Sequence, residues 1–248
     1  MNKHHLRSLA LGAVLSVALG GTALAGVITF GTGTNSSGAP IAANTNLGAS
    51  ATFVQSGVTM SAYAVEEPGS TLSTCADSSS SPCLFYKVTA NDPIETGLGL
   101  TPNINNEIFY PNGIALQVTT PNEYLSSLDL GSVQTGESWA VMGCSSMADV
   151  MGMGGFSGCT TLDQGMGPTS TNGAAEVMVS GLNMTNYAAY IVDVPCANSS
   201  SCQSGTTDSS NNILIMSATT VPEPGTLALM AAGLFGLGLM VRRRRARQ

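Results

Sequence analysis

The chain has 248 residues, with 15 acidic and 8 basic side chains and a net charge of −7 at pH 7. Seven of the basic residues lie in the two end segments, so residues 26–220 hold one lysine against 14 acidic residues, which gives a formal charge of −13. Such a surface excludes nucleic-acid binding through phosphates. His4 and His5 are the two histidines, so the rest of the chain lacks a Ser-His-Asp or Cys-His nucleophile and a His-ligated zinc or copper site.

The N-terminal residues have the pattern of an export signal. Lys3 and Arg7 form a basic region, Leu9 to Leu19 an apolar stretch, and Ala23-Leu24-Ala25 a small-x-small cleavage site. We therefore predict a signal helix in residues 1–25, export by the Sec machinery, and cleavage by signal peptidase just before Gly26. The alternative is an uncleaved N-terminal anchor.

Between the two ends the pattern is that of short strands separated by polar, glycine-rich links. Most of the candidate strands are rich in Val, Ile, Tyr, Phe or Thr and are bounded by Gly, Pro, Asn or Ser. They are Val27–Phe30, Ala51–Gln55, Val58–Val65, Leu84–Thr89, Ile114–Thr119, Leu125–Leu130, Ser138–Met142, Ala175–Ser180, Ala188–Val194 and Ile213–Thr219. Without crossover helices, this pattern predicts an all-β domain over residues 26–220, arranged as a sandwich of which a jelly-roll is one version.

Six cysteines fall in this domain as three pairs of near neighbours. Six cysteines allow 15 connectivities, so the sequence alone does not choose among them. Because each pair encloses a short loop and touches the end of a candidate strand, we predict local disulfides in an oxidising compartment. The predicted bonds are Cys75–Cys83, Cys144–Cys159 and Cys196–Cys202.

Asp92, Glu95 and Glu107 flank a turn-rich segment in which hard oxygen ligands could converge on calcium. The alternative is that they are solvated loop carboxylates, since neither EF-hand nor nonapeptide spacing is present. Calcium is therefore a weak candidate, and no other cofactor is expected.

Other residues with candidate chemistry have stronger structural interpretations. Met147, Met151 and Met153 could bind Cu(I), but methionines commonly fill irregular gaps. Lys87 could serve a Ser-Lys nucleophile, yet its strand-like surroundings predict a solvent-facing residue. A glycosidase would use aromatic platforms for sugars, whereas Trp139 lies in a run typical of core packing. We expect no enzyme.

The last 28 residues combine a stiff turn, an apolar run and an arginine cluster. Pro222, Glu223 and Pro224 form the turn. Residues 225–241 carry neither charge nor proline and, as a helix of about 25 Å, would just cross a bilayer. The arginines that follow should stay cytoplasmic: Arg242, Arg243, Arg244, Arg245 and Arg247.

This order of features in residues 221–248 resembles the bacterial PEP-CTERM sorting signal. The resemblance implies recognition of Pro222-Glu223-Pro224 by an exosortase-like membrane enzyme. A permanent tail anchor is the alternative. A second likeness lies in Glu95-Thr-Gly-Leu-Gly-Leu, Asn106-Glu-Ile and the strand from Gly113, an order similar to that of many exported PEP-CTERM proteins. It favours a sandwich.

The resemblance implies a protein tethered in the inner membrane with its C-terminus in the cytoplasm, and then sorted to the cell surface or released. We expect a non-enzymatic surface or extracellular-matrix protein of a Gram-negative bacterium, associated with exopolysaccharide and biofilm. The alternative is a carbohydrate-binding module, with or without calcium. Ice binding is a third hypothesis, although the sequence shows no regular Thr-x-Thr ladder.

Overall fold

The computed structural model describes residues 25–30, 32, 34–35, 37–66, 75, 81–101, 105–151, 156, 158–168, 174–182, 187–195, 212–223 and 233. Residues 26–220 form one compact unit, and the end segments 1–25 and 221–248 are grouped apart from it. Apart from Ala25 and Gly233, the predicted signal helix and the predicted membrane helix lie outside the described residues.

The described part of the compact unit is almost entirely β. Its strands are β1 (Gly26–Thr29), β2 (Thr34–Asn35), β3 (Thr45–Gly48), β4 (Ser50–Gln55), β5 (Val58–Glu66), β6 (Cys83–Lys87), β7 (Gly97–Thr101), β8 (Ile108–Phe109), β9 (Asn112–Val118), β10 (Glu123–Val133), β11 (Ser138–Cys144), β12 (Cys159–Met166), β13 (Ala175–Ser180), β14 (Ala189–Asp193) and β15 (Asn212–Pro222). A 3-10 helix, η1 (Pro93–Glu95), and a short α-helix, α1 (Met147–Met151), complete the described elements.

The strands form two antiparallel sheets. The first has the order β13-β10-β15-β7-β6-β3, and β1 and β8 also pair with β15. The second has the order β12-β11-β14-β9-β5-β4-β2. This confirms the all-β class, whereas the sandwich and jelly-roll arrangements stay predictions.

One large hydrophobic core takes side chains from both sheets. Leu98 and Ile215 come from the first sheet, and Phe53, Leu116 and Val192 come from the second. Alternation along the strands explains this, because successive side chains point to opposite faces. The opposite faces of β5, β9 and β14 contribute to a smaller core that also includes residues of α1 and β11.

Two of the predicted disulfides are confirmed. Cys75 is bonded to Cys83 at the start of β6, with a Cα–Cα distance of 4.9 Å. Cys144 is bonded to Cys159, its direct partner at the end of the β11–β12 ladder, with a Cα–Cα distance of 4.2 Å. Cys196 and Cys202 lie outside the described residues.

Each of the ten candidate strands has a counterpart, but the sequence also missed several elements. The segment between residues 31 and 49, which was predicted to be a polar, glycine-rich link, contains β2 and β3. Strand β12 was missed because its side chains are mostly exposed and polar. Strand β7 was missed because Gly97 and Gly99 are typical of a turn.

Gly99 allows the segment before β8 to pack against β7. A Cβ atom at this position would lie 2.1 Å from the carbonyl oxygen of Asn106 and 2.9 Å from the Cα of Glu107. Both neighbours are backbone atoms, so no rotation of a side chain can relieve the overlap. The absence of a side chain at Gly99 therefore permits the close approach of the segment that carries Glu107.

We expect Gly99→Ala to lower the free energy of unfolding by about 3 kcal/mol, the upper end of the range for overpacking. Urea unfolding followed by the fluorescence of the buried Trp139 measures the change. Thr161→Ala on exposed β12 is the control and should change stability by less than about 0.5 kcal/mol. Equal stability of Gly99→Ala and the parent chain would contradict the packing argument.

Candidate functional site

Lys87, the one basic residue of segment 26–220, ends β6 and reaches two glutamates. Its Nζ atom donates a hydrogen bond to Glu95 Oε2 at 2.7 Å and another to Glu107 Oε1. The lysine side chain is 16% exposed. The prediction of a solvent-facing Lys87 is therefore wrong, because two carboxylates from later segments cover its end.

The turn before β7 places Glu95 beside the lysine. Asp92 caps η1 by accepting a hydrogen bond from Ile94 N at 3.2 Å, and Pro93 supplies the fixed φ of a first helical residue. Thr89 closes the turn, since its hydroxyl donates to Glu95 O at 2.9 Å. These local bonds orient Glu95 towards Lys87 across the β6–β7 pair.

Glu107 and Ser132 complete the group from more distant segments. Glu107 is 2% exposed and lies just before β8, while Ser132 is fully buried at an irregularity of β10 and has φ of 59°. The Ser132 hydroxyl is 2.7 Å from Glu95 Oε1 and 3.1 Å from Glu107 Oε1, so its single proton serves one carboxylate at a time. We call Lys87, Glu95, Glu107 and Ser132 the Lys87 cluster.

The cluster has one positive charge for two carboxyl groups, so its members titrate differently. Burial raises the pKa of Glu107 to about 7, although the hydrogen bond and positive charge of Lys87 act to lower it. The negative charge of Glu95 adds to the rise. Burial would also raise the pKa of Glu95, but hydrogen bonds from Lys87 and Ser132 outweigh it and hold that pKa below its usual value. The pKa of Lys87 is raised, because its bonds to the two carboxylates outweigh its burial.

The three calcium candidates do not meet in one place. Glu95 and Glu107 converge, but the ammonium group of Lys87 lies between them, and the Asp92 carboxylate is used in capping η1. Within the described residues, no three His, Cys, Asp or Glu side chains are grouped to hold a metal ion. Two of the three expected ligands are thus already paired with one protein cation, which lies where a metal ion would bind.

The other candidate residues have structural surroundings. Trp139 is 6% exposed in the main core, as the sequence predicted, so it offers no platform to a sugar. Met147 and Met151 are the ends of α1, and Met153 lies outside the described residues. A groove of about 260 Å³ lies beside η1 and is lined by Thr29, Thr32, Pro93, Thr96 and Met216.

The predicted sorting motif begins at the end of the central strand of the first sheet. β15 runs to Pro222, and Glu223 follows directly. Pro224, the arginines 242–245 and all but one residue of the apolar run 225–241 lie outside the described residues. Among the residues that the structure describes, we find no helix with the length and apolar character needed to cross a membrane.

The last strand of the β domain, β15, runs directly into the Pro222-Glu223-Pro224 segment. Residues 220–245 match the PEP-CTERM protein-sorting motif. The chain therefore carries a PEP-CTERM signal, which indicates export, processing by an exosortase-like enzyme while membrane-anchored, and release. No curated protein matches the chain.

Sequence reasoning identified Glu95 and Glu107 but assigned neither to Lys87, and it missed Ser132. The two glutamates belong to the Glu-Thr-Gly-Leu-Gly-Leu and Asn-Glu-Ile segments on which the second resemblance rests. In the fold, these two segments bring two glutamates to the one lysine of residues 26–220. The presence of a single lysine among 14 acidic residues was the sequence feature that could have indicated this cluster.

The raised pKa of Glu107 predicts a stability that depends on pH. The pKa of Glu107 is about 7 in the folded chain and about 4.5 in the unfolded chain. Protonation of Glu107 therefore stabilises the fold fully below about pH 4.5, and this stabilisation is lost as the pH rises through about 7. The free energy of unfolding should fall by up to about 3 kcal/mol over this interval.

Glu107→Gln should flatten that dependence between about pH 5 and 8, because the amide keeps an acceptor for Lys87 without a charge to desolvate. Urea unfolding at several pH values measures it. Glu176→Gln, at an exposed position of β13, is the matched control and should leave the slope unchanged. If Glu107→Gln retains the slope of the parent chain, Glu107 is not its source.

Lys87→Met should lower the free energy of unfolding at neutral pH by about 3 kcal/mol, because it leaves the buried Glu107 and the half-buried Glu95 without their cation. Adding Glu95→Gln and Glu107→Gln to this variant should recover most of the loss. Denaturant unfolding of the single and triple variants distinguishes loss of charge pairing from loss of packing. A triple variant no more stable than Lys87→Met would assign the effect to packing.

Proposed function

We propose that the exported domain is a non-enzymatic cell-surface or extracellular-matrix protein of a Gram-negative bacterium, associated with exopolysaccharide and biofilm. The observation that carries the proposal is the PEP-CTERM motif at residues 220–245, joined to the domain without a linker. Two disulfides suit an oxidising compartment outside the cytoplasm.

The geometry of the Lys87 cluster supports a structural role over catalysis. Its serine is fully buried and its Glu107 is almost so, which keeps an external substrate away from both. The cluster instead joins β6, η1, the segment before β8 and β10. The perturbed pKa values in this cluster are therefore explained by an ion-pair network that joins chain segments inside the domain.

In this proposal the two end segments direct the export and sorting of the domain. The N-terminal segment is removed before Gly26 by signal peptidase, and the apolar run 225–241 holds the chain in the inner membrane with its arginines in the cytoplasm. The exosortase-like enzyme then acts at Pro222-Glu223-Pro224. The two sheets form a sandwich that reaches the cell surface or the matrix.

Carbohydrate binding is the second candidate, and the groove beside η1 is where the described residues leave space for a small ligand. Three threonine side chains line a space of about 260 Å³, close to the lower limit for small-ligand sites. A glycan array with and without calcium, using the parent chain and Thr32→Val at an exposed position of the groove, tests this function. Binding that Thr32→Val does not change would place the sugar elsewhere.

The sorting role is tested by deleting residues 223–248, an end point that keeps β15 complete. We expect the truncated protein to be folded and freely secreted, because both the motif and the membrane segment are gone. Intact mass and cell fractionation provide the measurement.

The control for processing replaces both prolines of the motif, Pro222→Ala with Pro224→Ala, and keeps the apolar run. This variant should stay membrane-bound with an unprocessed C-terminus. If the parent protein has the same mass and location in a host that lacks the processing enzyme, the tail is a simple anchor and the sorting role is wrong.

A further inference from the structure

Lys87 and Glu107 are brought together by backbone packing as well as by charge. Lys87 lies opposite Gly97 in the β6–β7 ladder. Two residues farther along β7, a Cβ atom at Gly99 would lie 2.9 Å from the Cα of Glu107. The segment that carries Glu107 therefore packs on the strand that pairs with Lys87, so the sheet sets the contact between the two side chains.

This contact places an amine against a carboxyl group that is shielded from water. Nζ of Lys87 contacts Oε1 of Glu107, and rotation of the carboxyl group about its Cγ–Cδ bond presents the carbon atom to the nitrogen. The two side chains are 16% and 3% exposed, which limits the access of water that would hydrolyse an amide. Well-oriented neighbouring groups react with effective molarities of about 10⁵ M or more.

A second carboxylate lies where it can accept and return a proton. Glu95 Oε2 accepts a hydrogen bond from Nζ at 2.7 Å, and the carboxyl groups of Glu95 and Glu107 are within hydrogen-bonding reach of each other. The pKa of Glu107 is raised to about 7, whereas the pKa of Glu95 is lowered. Near neutral pH, Glu107 can therefore hold a proton as an acid that an amine attacks, while Glu95 stays ionised as a base.

We propose that Lys87 and Glu107 form an intramolecular amide bond, which joins the end of β6 to the segment before β8. A proton passes from Nζ to Glu107 Oε1 along their hydrogen bond, which gives a neutral amine and a neutral carboxylic acid. The Nζ–Cδ bond then forms, and Glu95 takes a second proton from the nitrogen. Glu95 gives this proton to the hydroxyl group on Cδ, the Cδ–Oε1 bond breaks, and one water molecule leaves.

The reaction exchanges a buried ion pair for a neutral amide. It removes the charges of Lys87 and Glu107 and leaves ionised only Glu95, whose side chain is the most exposed of the three at 20%. Buried charges are costly even when they are paired, so their removal favours the amide. The pKa of Lys87 is raised, because its bonds to the two carboxylates outweigh its burial, so the ammonium is its resting form and the bond forms more slowly than the fold. The pH-dependent stability due to Glu107 belongs to the chain before this bond forms.

The test uses the full-length chain, refolded under oxidising conditions in detergent and kept near neutral pH until its mass is constant. After reduction and alkylation of the cysteines, we expect an intact mass lower than that of the sequence by one water molecule. The same chain kept in urea should retain its full mass, because the two side chains do not meet there. A folded chain that also retains its full mass would overturn the proposal.

Trypsin provides an independent measurement, because residues 8–241 contain one lysine and no arginine. Trypsin does not cut after a lysine whose Nζ is acylated, so the reduced and unfolded chain should stay uncut at Lys87 once the bond has formed. Fragment spectra of the peptide that carries Lys87 identify its partner. A bond to Glu95 in place of Glu107 would contradict the assignment of the acceptor.

Three variants separate the chemistry from the fold. Lys87→Arg keeps the positive charge but cannot form the amide, so it should retain its full mass. Glu95→Gln removes the base and should slow the loss of water at least about a hundredfold. Glu176→Gln, at an exposed position of β13, is the matched control and should react at the rate of the parent chain. Fluorescence of the buried Trp139 verifies that each variant is folded, and a folded Glu95→Gln chain that reacts as fast as the parent would show that Glu95 is not the base.

Discussion

The backbone pairing of β15 is the constraint on which the rest of the structure depends. This strand lies inside the first sheet, between β10 and β7, and it also pairs with β1 and β8. Most of its residues are buried, which is typical of a strand covered on both faces. Segments from the start and the middle of the exported domain therefore meet on its last strand, which is eleven residues long. Domains built on such distant pairings fold slowly, because loop closure precedes the gain from contacts.

The Lys87 cluster depends on the same arrangement. Glu107 lies just before β8, which pairs with β15. Strand β7, which pairs with β6 at Lys87, is also a partner of β15. The cost of burying three ionisable side chains is reduced by mutual hydrogen bonds, but the charges do not balance. A raised pKa at Glu107 is the physical result of this imbalance.

The sequence predicted the parts of the structure that are local. Short strands could be identified from alternating Val, Ile and Tyr residues, and two disulfides from cysteines close in sequence, as for Cys144 and Cys159. The nonlocal parts could not be predicted. Nothing in the residues around Lys87 indicates that Glu107, twenty positions away, covers it, because that contact depends on which strands pair. Gly99 shows the same limit, since its glycine is typical of a turn but serves the close approach of Asn106.

The segregation of charge along the chain has a consequence for survival outside the cell. Residues 26–220 contain no arginine and a single lysine, so a trypsin-like protease that cuts after basic residues has one cleavage site in the whole exported domain. That site is Lys87, whose side chain is held between two carboxylates at the end of a paired strand. In an environment rich in secreted proteases of this kind, the fold protects the one bond that they can recognise.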